Sequence, residues 1–174
     1  MRINAGLAFI FLVCCTAQAA LAADNPGSDK SAVEAAFLYN FALLTEWPDL
    51  PASEFRICVL GSDSMLAALE PVKKKQVRKL PVSVEPISTA AQARSCRVLF
   101  VGSDKHDSIG SIARQIGNAP VLVVSEEDGY DPRDVSIILV MLQGRIAFKI
   151  NRTTTLSSSL AVSSKLLKLA LQVY

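Results

Sequence analysis

Three short apolar runs constrain the fold most: Phe55-Arg56-Ile57-Cys58-Val59-Leu60, Cys96-Arg97-Val98-Leu99-Phe100-Val101 and Pro120-Val121-Leu122-Val123-Val124-Ser125. The first reads as a strand, the second as a strand apolar enough to be central, and the third as another buried strand. Turn-and-cap segments follow the first two, Gly61-Ser62-Asp63 and Gly102-Ser103-Asp104. Helical patterns come next, at residues 64–70 and at 108–116 with Ile109, Ile112, Ala113 and Ile116 inward and Gly117-Asn118 as the stop. Strand and helix alternating in this way dictate an α/β fold with a mainly parallel sheet flanked by helices.

The remaining segments complete that reading. Residues 31–47 carry Val33, Phe37, Phe41 and Leu44 at helical spacing, with Ala32 and Ala36 beside them and Pro48 as the stop. Residues 80–87 alternate apolar and polar side chains and hold two prolines, as an edge strand does. A short helical piece is expected at 89–94, and a surface loop at the acidic stretch 126–134. Residues 136–142 and 145–150, joined by Gln143-Gly144, form a C-terminal β-hairpin. The chain is expected to end in one amphipathic helix over residues 155–173, with Leu156, Leu160, Val162, Leu166, Leu167, Leu169, Ala170 and Val173 on its buried side.

The N-terminus reads as a secretory signal peptide: Arg2, an apolar run from Ala5 to Cys15, then the overlapping cleavage sites Ala17-Gln18-Ala19 and Ala20-Leu21-Ala22. The run is short of the roughly twenty residues a spanning helix needs. The expected organisation is therefore a signal peptide at 1–22, cut after Ala19 or Ala22, a flexible leader at 23–31, and one α/β domain at 32–174. Losing Arg2 takes the formal charge of +2 to about +1, which gives no reason to expect nucleic acid as a partner. Of four cysteines, Cys14 and Cys15 leave with the signal. Cys58 and Cys96 remain, an even pair in an exported chain, which favours one disulfide; two buried free thiols are the alternative.

No assembled catalytic or cofactor motif is legible. There is no phosphate-cradling glycine motif and no nucleophile elbow around Ser157, Ser158, Ser159, Ser163 and Ser164. His106 is the only histidine, and it reads as exposed rather than as a metal ligand, since a site needs three or four convergent groups. Trp47 reads as a helix-end anchor against the core. Asn40 is either a buried hydrogen-bonding hub or a partner contact. The run Lys73, Lys74, Lys75, Arg78 and Lys79 is a solvated loop or a contact for an acidic partner surface.

Three ordered segments together resemble the YfiR family of exported bacterial proteins. They are Ala35-Ala36-Phe37-Leu38-Tyr39-Asn40-Phe41 with Glu46-Trp47-Pro48, then Ile57-Cys58-Val59-Leu60-Gly61 followed by Cys96-Arg97-Val98-Leu99-Phe100-Val101, and last Gly144-Arg145-Ile146-Ala147-Phe148-Lys149-Ile150-Asn151 leading to Ser163-Ser164-Lys165-Leu166-Leu167-Lys168-Leu169-Ala170. The resemblance implies a periplasmic regulator, not an enzyme, with no cofactor. Such a regulator binds and represses the periplasmic sensor domain of an inner-membrane diguanylate cyclase, which lowers cyclic di-GMP and restrains biofilm formation. An outer-membrane lipoprotein that sequesters the repressor is a further implied partner, and a homodimer is left open. The resemblance also places Cys58 and Cys96 at a redox-sensitive pair; a second pair found later in some members has no counterpart after Gly102. The chain departs from the family at Asp134, Val135 and Ser159, where glycines are frequent. The competing function is a periplasmic small-molecule-binding module of an uptake or sensing system, with its crevice at the carboxyl ends of the strands, near Gly61-Ser62-Asp63 and Gly102-Ser103-Asp104.

Overall fold

The computed structural model describes residues 26–48, 52–126 and 132–174. The expected signal peptide, most of the acidic stretch after Glu126, and the side chain of His106 lie outside the described residues. The chain enters as helix α1 (Pro26–Leu44) and leaves it through a short strand, β1 (Thr45–Glu46). The helix starts before the expected Ser31, in the stretch read as a leader. Proline suits a first turn, because its missing N–H has no intrahelical partner to lose.

The buried stripe of α1 is Ser31, Glu34, Ala35, Leu38, Phe41 and Ala42, while Val33 is 47% exposed. Of the expected face, Phe41 is buried and Phe37 and Leu44 pack against the core, while Val33, Ala32 and Ala36 are exposed, which corrects the expectation at those three positions. Apolar residues encircle α1, so spacing alone cannot choose a side. The stripe that wins has small residues at Ala35 and Ala42, which let the helix approach the sheet, and Phe41, whose ring centroid lies 5.0 Å from that of Phe148.

The sheet begins with β2 (Phe55–Leu60) and helix α2 (Asp63–Ala68), whose first turn is capped by the Ser62 hydroxyl accepting from Met65 N–H at 3.2 Å. A 3-10 turn (Glu70–Lys74) leads into a hairpin of β3 (Gln76–Val77) and β4 (Leu80–Pro86). Helix α3 (Ala90–Ala93), β5 (Val98–Val101), a 3-10 turn (Ser103–Ser108) and helix α4 (Ile109–Ile116) follow. Then come β6 (Leu122–Glu126) and the antiparallel pair β7 (Ile137–Leu142) and β8 (Arg145–Ile150).

The expected terminal helix does not form. In its place stand α5 (Arg152–Ser157), β9 (Ala161–Val162), α6 (Ser164–Leu169) and β10 (Gln172–Val173). The break is at Ser159, whose φ of 57° is left-handed. Beyond it the Ser163 hydroxyl caps a new helix by accepting from Leu166 N–H at 3.2 Å. Serine hydroxyls compete for backbone groups and favour caps and turns over helix interiors, and this overrides the leucine spacing. Leu160 and Leu166 are buried as expected, but Leu156, Leu169 and Val173 are exposed. Since left-handed backbone costs an L-residue roughly 1 to 2 kcal/mol, Ser159→Gly is expected to stabilise the fold by up to about 1 kcal/mol after glycine's greater unfolded-state freedom is subtracted. A lowered urea midpoint in that variant would show that the serine side chain contributes more than its backbone strain.

The order of the large sheet is β10-β8-β7-β6-β5-β2-β4-β3, while β1 and β9 pair apart from it. Strands β2, β4, β5, β6 and β7 run parallel. The chain moves from β2 to β4 on one side and then returns to place β5 on the other, so Cys58 on β2 lies beside the turn that carries Cys96 into β5. One face of the sheet packs against α1, α2 and α6 through Leu38, Phe41, Met65, Phe100 and Leu166. The other is covered by α3 and α4 through Ala93, Ile109, Ile112 and Ile116, with both cysteines in that layer.

Candidate partner-binding surface

The cationic run spans a 3-10 turn and the β3–β4 hairpin that follows it, rather than a free loop. Arg78 and Lys79 form the turn of β3 and β4 with φ of 52° and 69°. Arg78 Nη2 donates to the Thr45 carbonyl oxygen at 3.1 Å and stands 3.8 Å from the Glu46 carboxylate, which ties the hairpin to β1. Lys75 Nζ lies 4.5 Å from the centroid of the Tyr39 ring, and the Tyr39 hydroxyl donates to the Gln76 carbonyl oxygen. Lys73 pairs with Glu70 one turn back. Among the described residues, Lys74 and Lys79 have no carboxylate partner, which leaves them as the run's free charges.

The two turn-and-cap segments meet at the carboxyl ends of β2 and β5. A Cβ on Gly102 would collide with the Gly61 carbonyl oxygen, and one on Gly61 would meet the Lys105 stem. The glycines are therefore required by close approach of the two turns, with the stem of Lys105 packed against Gly61.

A cleft of about 280 Å³ opens beyond β6, between α1 and the β7–β8 hairpin, lined by Lys30, Glu34, Ser103, Glu126, Met141 and Ile146 among others. The Glu34 side chain is 2% exposed, and its Oε1 stands 3.2 Å from Lys30 Nζ. Glu34 Oε2 is buried with no hydrogen-bond partner among the described residues. Lys30 Nζ also reaches Glu126 Oε1 at 2.8 Å. Burial, reinforced by the like charge of Glu126 and opposed by Lys30, pushes the Glu34 carboxyl up to about 7.

The folded protein therefore holds this proton more tightly than the unfolded chain between pH 4.5, the ordinary value, and about 7. Stability from this group is full below the lower figure and is lost as pH rises through the upper one, a change on the order of 1 to 3 kcal/mol. Urea midpoints from pH 4 to 8 test this. Glu34→Gln is expected to flatten the decline relative to the parent, and an identical slope in both would contradict it.

The feature that sequence reasoning missed is apolar and exposed. Leu156, Leu169, Leu171, Val173 and Tyr174 are all exposed, between 42% and 63%. They sit on α5, the end of α6, β10 and the chain end, and Tyr174 is joined to α5 by its carbonyl accepting from Arg152 N–H at 3.0 Å. Met141 and Leu142 expose comparable area at the end of β7. Pairing of β10 with β8 and the Arg152–Tyr174 bond bring the chain end beside α5; contiguous exposed apolar side chains are the kind of surface that interaction sites use. Their helical spacing assigned most of them to a core, so the sequence carried no cue to the contrary.

Other singled-out residues have structural positions. Trp47 packs edge-on against Phe55 with ring centroids 5.1 Å apart, and Asn40 is exposed. Ser163 is a helix cap and Ser158 is buried. Cys58 and Cys96 are joined in a disulfide with Cα atoms 5.9 Å apart. Among the described residues no group of His, Cys, Asp and Glu could hold a metal ion, and no helix is long and apolar enough to cross a membrane.

Residues 31–171 match the model of a family described as YfiR/HmsC-like. No curated protein matches the chain.

Proposed function

The chain belongs to the YfiR/HmsC-like family, and from that premise we propose that it is a periplasmic regulator that binds the periplasmic sensor domain of an inner-membrane diguanylate cyclase and represses it. The observation that supports this reading is the exposed apolar group at the C-terminal end, Leu156, Leu169, Leu171, Val173 and Tyr174. Burying such side chains against a partner supplies the favourable term in association. The same elements, α5 and α6, expose the cations Arg152, Lys165 and Lys168, which favour an acidic rim on the partner.

Repression needs no chemistry from this chain. A protein that binds the inactive conformation of the sensor more tightly than the active one shifts the population toward it, by no more than its differential affinity. The output is then restored by anything that competes for the same surface, and an outer-membrane lipoprotein is the competitor in this reading. The free charges Lys74 and Lys79 lie on a different element, the β3–β4 hairpin and the turn before it. In this account they steer an acidic partner surface and contribute mainly at low salt. Export depends on the N-terminal segment, with cleavage after Ala19 or Ala22.

Deleting the gene in its host tests the reading. Cyclic di-GMP is expected to rise, and a copy of the gene supplied in trans is expected to lower it again. An unchanged level in the deletion strain, both at rest and under envelope stress, would overturn the proposal.

A further inference from the structure

At the end of the sheet opposite the glycine turns, the amino ends of β2 and β5 frame a second cleft of about 490 Å³, lined by Arg56, Arg94, Ser95, Arg97, Glu54 and Cys96 among others. Its volume lies within the usual range of small-molecule sites, roughly 300 to 1,000 Å³. Arg56 and Arg97 stand at the same level of neighbouring strands, one residue before the registered pair Ile57 and Val98. Arg97 N–H donates to the Arg56 carbonyl oxygen at 2.8 Å. Like charges opposite one another across a sheet destabilise it, so this pairing calls for compensation.

The compensation present is incomplete. Arg56 is satisfied: its Nη2 and Nε donate to Glu54 Oε1 at 2.7 Å and 3.2 Å, and its Nη1 donates to the Ser95 hydroxyl at 3.1 Å. The Glu54 carboxyl is held below its ordinary range by those bonds, so it stays charged and committed to Arg56. Among the described residues, Arg94 and Arg97 have no carboxylate partner. Arg97 is half-buried, and burial pulls its guanidinium below the ordinary value with no acid to offset it. The cleft wall is fixed, because Cys96 is tied to Cys58 and the Ser95 hydroxyl is anchored by donating to the Gln92 carbonyl at 2.8 Å.

We propose that this cleft binds a small organic molecule through a phosphate or carboxylate group, received by the guanidinium groups of Arg94 and Arg97. Planar guanidinium donors match the geometry of both oxyanions. The site lies at the opposite ends of the strands from the crevice where open α/β sheets usually hold ligands, a place where the Lys105 stem packs against Gly61 in this protein. It is also separate from the apolar surface assigned to the cyclase, so either assignment can fail without the other.

Calorimetric titration of the purified chain at low ionic strength, with inorganic phosphate in one series and succinate in another, tests the proposal. Saturable binding of at least one anion is expected, with Kd of about 1 mM or tighter; the tighter of the two identifies the class of headgroup. Arg97→Gln and Arg94→Gln are each expected to weaken it about tenfold, the equivalent of one guanidinium contact. Arg94 is exposed and its side chain makes no hydrogen bond or ion pair among the described residues, so its variant keeps the test open if Arg97→Gln does not fold. No saturable heat with either anion, or equal affinity in a folded variant and the parent, would overturn the proposal.

Discussion

Leu166→Ala is expected to cost about 2 to 5 kcal/mol of stability, while Leu169→Ala, three residues further on, should stay within about 0.5 kcal/mol of the parent. Leu166 is 2% exposed in the layer between the sheet and α1, whereas Leu169 is 63% exposed at the end of α6. Truncating the first leaves a cavity in the core cluster that also holds Leu38 and Phe41; truncating the second removes area that water already touches. Urea denaturation of both variants measures the difference. Equal losses would mean that the two leucines share one buried face, as in the single long helix that the spacing suggests.

Removing the disulfide is the second large effect. The bond joins residues 38 apart in sequence, and on the loop-entropy account it stabilises by roughly 3 to 4 kcal/mol. It links β2 to the turn that enters β5, and both cysteines are buried in the layer under α3 and α4. The expected results are no free thiol in unfolded, unreduced protein, and a marked fall in melting temperature on reduction. For a domain of this size, a loss of 3 kcal/mol corresponds to roughly 6 to 12 °C. Two free thiols per chain would contradict the pairing, and a melting temperature indifferent to reductant would show that the bond adds little.

What could be read from the sequence follows from how strongly each element is specified locally. Strands β2, β5 and β6 were legible from short, mainly apolar runs bounded by turn residues, and for β5 and β6 the run was apolar enough to mark a buried strand. The β7–β8 hairpin was legible from Gln143-Gly144, where both residues take positive φ, 49° and 75°. The β3–β4 hairpin was hidden because its turn uses Arg78 and Lys79, and no glycine or asparagine marks the left-handed positions. On α1 the apolar residues surround the helix, so tertiary packing, not periodicity, selects the buried stripe.

The C-terminal region misleads for a different reason. Its leucines satisfy helical spacing throughout, but Ser159 and Ser163 offer a turn and a cap that divide it, and β9 and β10 then find strand partners in β1 and β8. Those pairings are long-range and leave no local trace. The surface assigned here to partner binding is a product of that break, so it could not be read before the break was known. Glu34 is similar: its burial depends on which stripe of α1 faces the sheet. The basic run was visible as charge, but the contacts that occupy Lys73, Lys75 and Arg78 come from Glu70, Tyr39 and β1.

The most direct measurement is binding of the purified chain to the periplasmic domain of its host's inner-membrane diguanylate cyclase, immobilised for surface plasmon resonance, with Leu169→Asp and Leu171→Asp as variants. The account predicts saturable binding by the parent and a loss of at least about tenfold in each variant, the scale of a residue that matters at an interface, with their urea midpoints close to the parent's. No binding by the folded parent, or undiminished affinity in both variants, would contradict repression through the exposed C-terminal surface.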